Sequence, residues 1–300
     1  MDVEIVKKDG SKYRLSDYGV VYDFVVSSIT IENYTERIEG RSGLVDYGAD
    51  YGVRRIKIPM KFKNFDLHDY AHLRDEVYGI LTDTESYYIR EMRRPRRLEY
   101  EFVDFGQAPK YKAQTDNNYV DGKQYLVRMK NELEPEQLYD GGEIEIEFET
   151  TELPFAKTIY TTLDLSNRDF VDSAEMFGLT DGINDEMRRY SHTTNTFSIW
   201  NGGNVEVTPE EFPLEITFLG ASSSGNATVT NLTTGDKFIY KDAITNKKLT
   251  IDGVHVLVEK TNRTRNSNRN FLSLVPGENV ISIKNLNFNS VNINFNFYYK

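Results

Sequence analysis

The stretch Arg55-Ile56-Lys57-Ile58-Pro59-Met60-Lys61-Phe62 decides how the N-terminal half is read. Ile56, Ile58, Met60 and Phe62 alternate with Arg55, Lys57, Pro59 and Lys61. That is the period of a strand with one face buried and one face wet. Pro59 has no N–H to donate, so the strand is expected at a sheet edge. A helix is expected next. Asp66 is positioned as its N-cap, with Asp69 near the positive helix end. Tyr70, Leu73, Val77, Ile80 and Leu81 then recur at helical spacing as one apolar stripe. A hairpin follows: Tyr87 to Met92, a tip of Arg93, Arg94, Pro95, Arg96 and Arg97, then Leu98, Tyr100 and Phe102 alternating with Glu99 and Glu101. Strands covered by one helix, with a basic edge and a basic tip, suit a module that meets neighbours.

Toward the N-terminus, Val3 and Ile5 alternate with Asp2 and Glu4, Asp9-Gly10 marks a turn, and Tyr13 and Leu15 resume the pattern. This predicts a hairpin. Phe24 to Glu32 is a second β-rich segment, with Ile29 and Ile31 on one face. Glu39 to Gly52 holds four glycines and reads as a long loop or protruding ribbon. Toward the C-terminus, Gly106 to Asn118 reads as loop and Gln124 to Lys130 as a strand. Asp140-Gly141-Gly142 turns the chain into Ile144, Ile146 and Phe148, which alternate with Glu143, Glu145, Glu147 and Glu149. Leu153-Pro154-Phe155 closes this domain, expected over residues 1–156. Residues 157–195 are expected to connect, with a short helix around Asn184 to Arg189.

From Phe197 short β runs recur about every ten residues. They are Phe197–Trp200, Leu214–Leu219, Ala227–Asn231, Phe238–Tyr240, Leu249–Ile251, Val254–Val258, Phe271–Val275, Val280–Ile283 and Val291–Tyr299. Turn signals separate them, and no helix signal appears. This is the spacing of a β-sandwich or jelly roll over residues 196–300. The fold class expected is mainly β: an α+β N-terminal domain with one covering helix, then a β-sandwich.

Composition narrows the function. The 300 residues are 28% charged and 39% hydrophobic, with 20 Tyr and 17 Phe. These are globular values, and the aromatics favour strands. The net charge of −11 is unevenly spread. Residues 1–190 carry 26 basic and 38 acidic side chains, residues 191–300 ten and nine. An acidic N-terminal half argues against a general nucleic-acid binder. With no Cys, disulfides and thiolate chemistry are excluded. Asp2 to Tyr18 shows no signal peptide. Gly19 to Val26 is too short for a membrane span.

Candidate chemistry is thin. His68 and His72 sit at i and i+4, as in the zinc-protease helix motif, but Asp69 stands where that motif has Glu. Helical stepping puts both opposite the apolar stripe, so solvent-facing histidines are expected rather than a metal site. His192 and His255 have no motif around them. Asp181-Gly182-Ile183-Asn184-Asp185 has oxygen ligands in the wrong order for an EF-hand loop. No nucleophile motif, phosphate loop or catalytic carboxylate pair stands out, and no cofactor is expected. Arg93, Arg94, Arg96 and Arg97 read as a localisation tag, a nucleic-acid contact, a tip meeting an acidic surface, or a plain solvated tip. The face of Glu143, Glu145, Glu147 and Glu149 lets one copy complement the basic residues of another. Trp200 is a core or corner anchor, or a sugar-stacking platform.

Three stretches carry a resemblance. They are Ile38-Glu39-Gly40-Arg41-Ser42-Gly43-Leu44-Val45-Asp46-Tyr47-Gly48 with Arg54-Arg55-Ile56-Lys57-Ile58; Ile144 to Phe148 with Leu153-Pro154-Phe155; and Phe197-Ser198-Ile199-Trp200-Asn201-Gly202-Gly203-Asn204 with Leu249 to Gly253 and Phe271 to Asn279. In this order they resemble the distal tail protein family (Dit) of siphoviruses that infect Gram-positive bacteria. The resemblance implies a structural virion protein without catalysis, located at the tail tip and assembled in the host cytoplasm. It implies a hexameric ring closed by the N-terminal domain around a DNA-ejection channel. It also implies an outer jelly roll, similar to galectins or carbohydrate-binding modules, and tail tube, hub and baseplate proteins as partners.

The residues fit that implication. An acidic half suits a channel that must not hold passing DNA, and an edge strand with a ribbon-like loop suits sheet extension between subunits. The candidate inter-subunit contacts are Arg55, Lys57, Arg93, Arg94, Arg96 and Arg97. The rival readings are a carbohydrate-binding module contacting the host wall through Trp200 and, further off, a metal-dependent hydrolase using His68 and His72. A tail hub protein sharing the N-terminal domain is a neighbouring possibility. Neither a membrane nor a sequence-specific nucleic-acid partner is expected.

Overall fold

The computed structural model of the chain describes residues 1–62, 67–92, 122–138, 141–167 and 185–300. The chain divides into two compact units, Met1–Phe155 and Ala156–Lys300.

Unit 1 contains β1 (Asp2–Val6), β2 (Lys12–Arg14), β3 (Gly19–Val21), β4 (Val25–Val26), β5 (Ile31–Glu36), β6 (Val45–Tyr51) and β7 (Arg55–Phe62). These are followed by α1 (Leu67–Leu81), β8 (Tyr87–Met92), β9 (Lys123–Met129), β10 (Glu136–Leu138) and β11 (Gly141–Thr150). The main sheet runs β2-β1-β8-β9-β11-β7-β3, with β10 on β11 and β4 on β7. Ile56, Ile58, Met60 and Phe62 of β7 and Ile146 and Phe148 of β11 are fully buried, as their alternation predicts. Tyr70, Val77, Ile80 and Leu81 of α1 join the same core, with Leu73 packed against it. Burying each such side chain is worth about 1.5–3 kcal/mol.

The expected edge position of Pro59 is overturned. β11 pairs along the full length of β7, from Phe62↔Gly142 to Arg55↔Glu149. β3 pairs it on the other side at Met60–Phe62, and β4 at Ile56–Lys57. Pro59 survives inside the sheet because a residue's N and C=O point to the same side of a strand. Its carbonyl accepts the Tyr22 N–H at 2.9 Å, so its missing donor faces the break between β3 and β4. The β11 ladder loses nothing.

The β1–β2 hairpin forms about Asp9-Gly10 with Ile5 opposite Tyr13, and Gly10 takes φ 88°, which glycine tolerates. Its wet face departs from expectation: Glu4 is buried, paired with Arg90. The Phe24–Glu32 segment splits into β4 and the start of β5, and Ile31 is 58% exposed. β8 forms as expected, between β1 and β9; the Arg tip and the return strand lie outside the described residues, as does Asp66.

Unit 2 contains β12 (Ala156–Thr158), α2 (Thr162–Ser166), β13 (Ser191–His192), β14 (Thr196–Asn201), β15 (Leu214–Ser223), β16 (Ala227–Asn231) and β17 (Lys237–Tyr240). It continues with β18 (Ile244–Asp252), β19 (His255–Val258), β20 (Thr261–Asn262), β21 (Gly277–Lys284), β22 (Ser290–Phe295) and β23 (Tyr298–Tyr299). One sheet has the order β13-β22-β15-β18-β19-β20, the other β14-β21-β16-β17, and β12 pairs with β23. All described pairings are antiparallel, and each sheet buries one alternating set, such as Val291, Ile293 and Phe295 or Ile281 and Ile283. In the stretch expected to connect, α2 is capped by Thr161 and Asp164, and Thr162 Oγ1 donates to the Ile293 carbonyl.

Phe271–Val275 is not a strand. Leu274 keeps one backbone bridge, with Val207, and side chains occupy the other groups. Asp236 accepts from the Ser273 N–H, and Asn231 donates to the Ser273 carbonyl. Asn201 donates to the Leu274 carbonyl, while Asn279 bonds both the Val275 N–H and its carbonyl. Side-chain bonds thus stand in for most of a ladder.

Candidate assembly surface

β5 and β6 form a sheet of their own. Ile31 lies opposite Tyr51 and Glu36 opposite Val45, with a bulge between Asn33 and Thr35. Every residue of β5 is exposed, and every residue of β6 except Val45. The Gly-rich stretch expected as loop or ribbon is this ribbon. At its root Gly52 donates to the Thr30 carbonyl and Thr30 to the Val53 carbonyl, and Ser27 just before it donates to the Arg55 carbonyl of β7. The ribbon carries large apolar groups in the open: Leu44 is 58% and Tyr47 62% exposed, beside Ile31, Tyr34, Ile38 and Tyr51. Internal bonds hold the aromatics in place. Tyr47 Oη donates to Glu36 Oε2 at 2.7 Å, and a hydrogen bond to Asp50 raises the Tyr34 phenol above its ordinary value. A lone two-stranded ribbon is marginal in water, and a contiguous exposed apolar patch marks a contact surface.

The wet face of β7 and β11 is a ladder of opposite charges. Lys57 pairs with Glu145 at 2.8 Å and with Glu147, Arg55 Nε with Glu149 at 3.8 Å, and Lys130 with Glu149. The bond to Glu145, then that to Glu147, holds the Lys57 ammonium above its usual range. The bond from Lys57 in turn holds Glu147 low. Arg55 and Lys57, candidates for contacts between subunits, are thus engaged with carboxylates of their own chain. Arg93, Arg94, Arg96 and Arg97 lie outside the described residues.

Arg54, at the root of the ribbon, is 5% exposed. Its guanidinium lies 5.9 Å from the Tyr125 ring centroid, and burial lowers its pKa. Its N–H donates to Thr150 Oγ1, and its carbonyl accepts the Thr150 N–H, so β11 fixes where the ribbon leaves the sheet. Neither Arg54 nor the exposed aromatics were singled out from sequence. The visible signal was Tyr34, Tyr47 and Tyr51 among glycines and charges with no facing apolar strand.

The other candidates are scattered. His72 is exposed on α1, and the His68 side chain lies outside the described residues. Burial depresses the His192 pKa, and its ring stacks on Phe197 at 4.1 Å. The described residues hold no group of three or more His, Asp or Glu placed for a metal. The Asp181–Asp185 stretch lies outside them in its side chains. Trp200 is half-buried on β14 beside Gly277; its Nε1 is enclosed and its carbonyl accepts Tyr190 Oη at 2.7 Å. No helix among the described residues is long and apolar enough to cross a membrane.

Residues 8–150 match the family model of the phage tail protein RIFT-related domain. The fold of the whole chain is that of a distal tail protein. It is similar to the crystal structure of the SPP1 Dit protein (gp 19.1), described as a paradigm of the hub adsorption apparatus in phages infecting Gram-positive bacteria. That match has a TM-score of 0.63 and 12% identity over 99% of each chain. The phage p2 baseplate in its activated conformation with Sr matches more faintly, with a TM-score of 0.40 and 10% identity over 98% of this chain and 97% of that one. No curated protein sequence matches.

Proposed function

We propose that this tail component forms a homohexameric ring joining the tail tube to hub or baseplate proteins, with DNA passing through its channel at ejection. The observation that carries the reading is the β5–β6 ribbon. It exposes Ile31, Leu44, Tyr47 and Tyr51, and among the described residues it pairs with no further strand, so its edges suit sheet extension. A neighbouring copy would cover it. The role is structural, without catalysis, and the site of action is the tail tip of the virion. The excess of acid in residues 1–190 supports a channel that repels passing DNA. The Arg93, Arg94, Arg96 and Arg97 tip is a second contact between copies in this reading. Light scattering tests it: an assembly of about six copies is expected, and a strict monomer at micromolar concentration overturns it. The likeness of unit 2 to a sandwich that presents Trp200 beside Ser198 and Glu278 supports a secondary reading, a carbohydrate platform facing the host wall.

A further inference from the structure

Charge on β18 and β21 of unit 2 is sorted by strand end. On β18, Asp252 lies at one end, opposite Glu215 of β15, and Lys247 lies toward the other, opposite Ala221. On β21, Glu278 lies near the start and Lys284 at the end, opposite Thr228. The lysine ends belong together. The short turn 224–226 joins β15 to β16, and its Asn226 N–H donates to the Lys241 carbonyl at 3.2 Å. Lys248 is tied to Glu259 by two 2.8 Å bonds, and Lys260 follows in the same turn. The carboxylate ends also belong together. The segment from β14 to β15 carries Glu206, Glu210 and Glu211, and Gly253 N–H donates to the Leu214 carbonyl, which holds the Asp252 turn beside it.

One end therefore presents Lys241, Lys247, Lys248, Lys260 and Lys284, all exposed. Its two carboxylates are engaged, Glu259 by the Lys248 N–H and Asp242 by Asn266. The other end presents Glu206, Glu210, Glu211, Asp252 and Glu278, all exposed, with Glu215 half-buried; its cations are Lys237, exposed at the start of β17 after the turn tied to Glu278, and Lys300, close by through Asn204. The two ends are four to six residues apart along a strand, about 13–20 Å. Unit 1 differs. There Lys57, Lys130, Lys7 and Arg90 each meet a carboxylate within the chain. Among the described residues, none of Lys241, Lys247, Lys248, Lys260 and Lys284 stands in such a pair.

We propose that these two ends are complementary docking faces for successive copies of this chain, the lysine end of one unit 2 seated on the carboxylate end of the next. The inference rests on the ring reading and adds a further contact, between C-terminal units, to it. A head-to-tail contact uses two different patches, which is what a closing ring requires. Opposed fields steer encounter and fix which patch meets which. Exposed charges are screened, so the contact weakens as salt rises.

The test uses two full-length variants. Lys247→Glu/Lys248→Glu/Lys284→Glu makes both ends negative, and Glu210→Lys/Glu211→Lys/Asp252→Lys makes both positive. At low salt each variant alone should associate about tenfold more weakly than the unmodified chain, as lost charge complementarity predicts. An equimolar mixture should recover association, because each altered end then meets its complement. Unmodified thermal melts show that both variants fold. Variants that associate normally alone, or a mixture no tighter than its parts, overturn the docking while leaving the ring intact. An unmodified chain that stays monomeric overturns the ring reading and the docking with it.

Discussion

Glu4 Oε2 and Arg90 Nη1 meet at 2.9 Å between β1 and β8, with the two side chains 5% and 11% exposed. Arg90 Nε also donates to Gln124 Oε1, so one guanidinium ties β1, β8 and β9 together. Glu4→Ala should cost about 3–5 kcal/mol of unfolding free energy by leaving a buried cation without its anion. Denaturant titration of the unit 1 transition measures it. A loss under 1 kcal/mol would mean that water reaches the guanidinium.

Two glycines should respond with opposite signs. A Cβ on Gly19 would lie 2.2 Å from the Lys61 carbonyl oxygen, and the backbone there cannot yield without opening β3 from β7. Gly19→Ala should cost about 1–3 kcal/mol or more. Gly79 is exposed on α1, and its Cβ would meet nothing within 4 Å. Gly79→Ala should stabilise by about 0.5–1 kcal/mol. Thermal melts of the pair give the two signs.

Asn279 is fully buried, and its amide holds the Val275 N–H and carbonyl and accepts from Asn231. Asn279→Ala should cost about 2 kcal/mol or more, because several buried polar groups lose partners together. Hydrogen exchange should show the Val275 amide opening first. Unchanged protection at Val275 would count against the amide lock.

Asp236 gives unit 2 an acid limit. Burial raises its pKa, but bonds from the Ser273 side chain and backbone and from Thr234 outweigh it, and the net value is below the ordinary 3.8. A depressed folded pKa stabilises above the unfolded value, and that stability is lost as pH falls through the folded value. Unit 2 should therefore weaken below about pH 3.8. Asp236→Asn should be less stable at neutral pH and less sensitive to acid in that window. Melting temperatures from pH 6 down to pH 2 compare the slopes, and parallel curves would remove Asp236 from the account.

The ribbon should matter to association and not to folding. Leu44→Ser with Tyr47→Ser should leave the melting temperature within a few degrees, since neither residue packs in the core. Light scattering should show the assembly dissociating. Full assembly with both changes would move the contact elsewhere.

The alternation of Ile56 to Phe62 and of Ile144 to Phe148 was legible because one face of each strand is buried. The helix stripe from Tyr70 to Leu81 was legible for the same reason. Pro59 misled because a lone sequence shows a missing donor but not which neighbour stops short of it. Glu4 misled because the alternation carries no sign of an arginine 86 residues away. Phe271–Val275 has strand composition, and only the folded chain brings Asn201, Asn231, Asp236 and Asn279 to its backbone. The ribbon was visible as glycine-rich chain, while the exposure of Ile31, Leu44 and Tyr47 shows only in the fold, where the two strands pair with each other and leave these side chains in water.

Pro59 also acts as a check on register. A one-residue slip of β7 against β11 would exchange the two hydrogen-bonding sides of the strand along with its faces. Pro59 would then turn its donorless nitrogen toward β11, where the present pairing places Glu145 opposite it. The slipped pairing would thus lose a ladder bond as well as the burial of Ile56, Ile58, Met60 and Phe62. A residue that looks like a blemish in the strand makes the wrong alignment worse than the right one, and so guards the sheet while it forms.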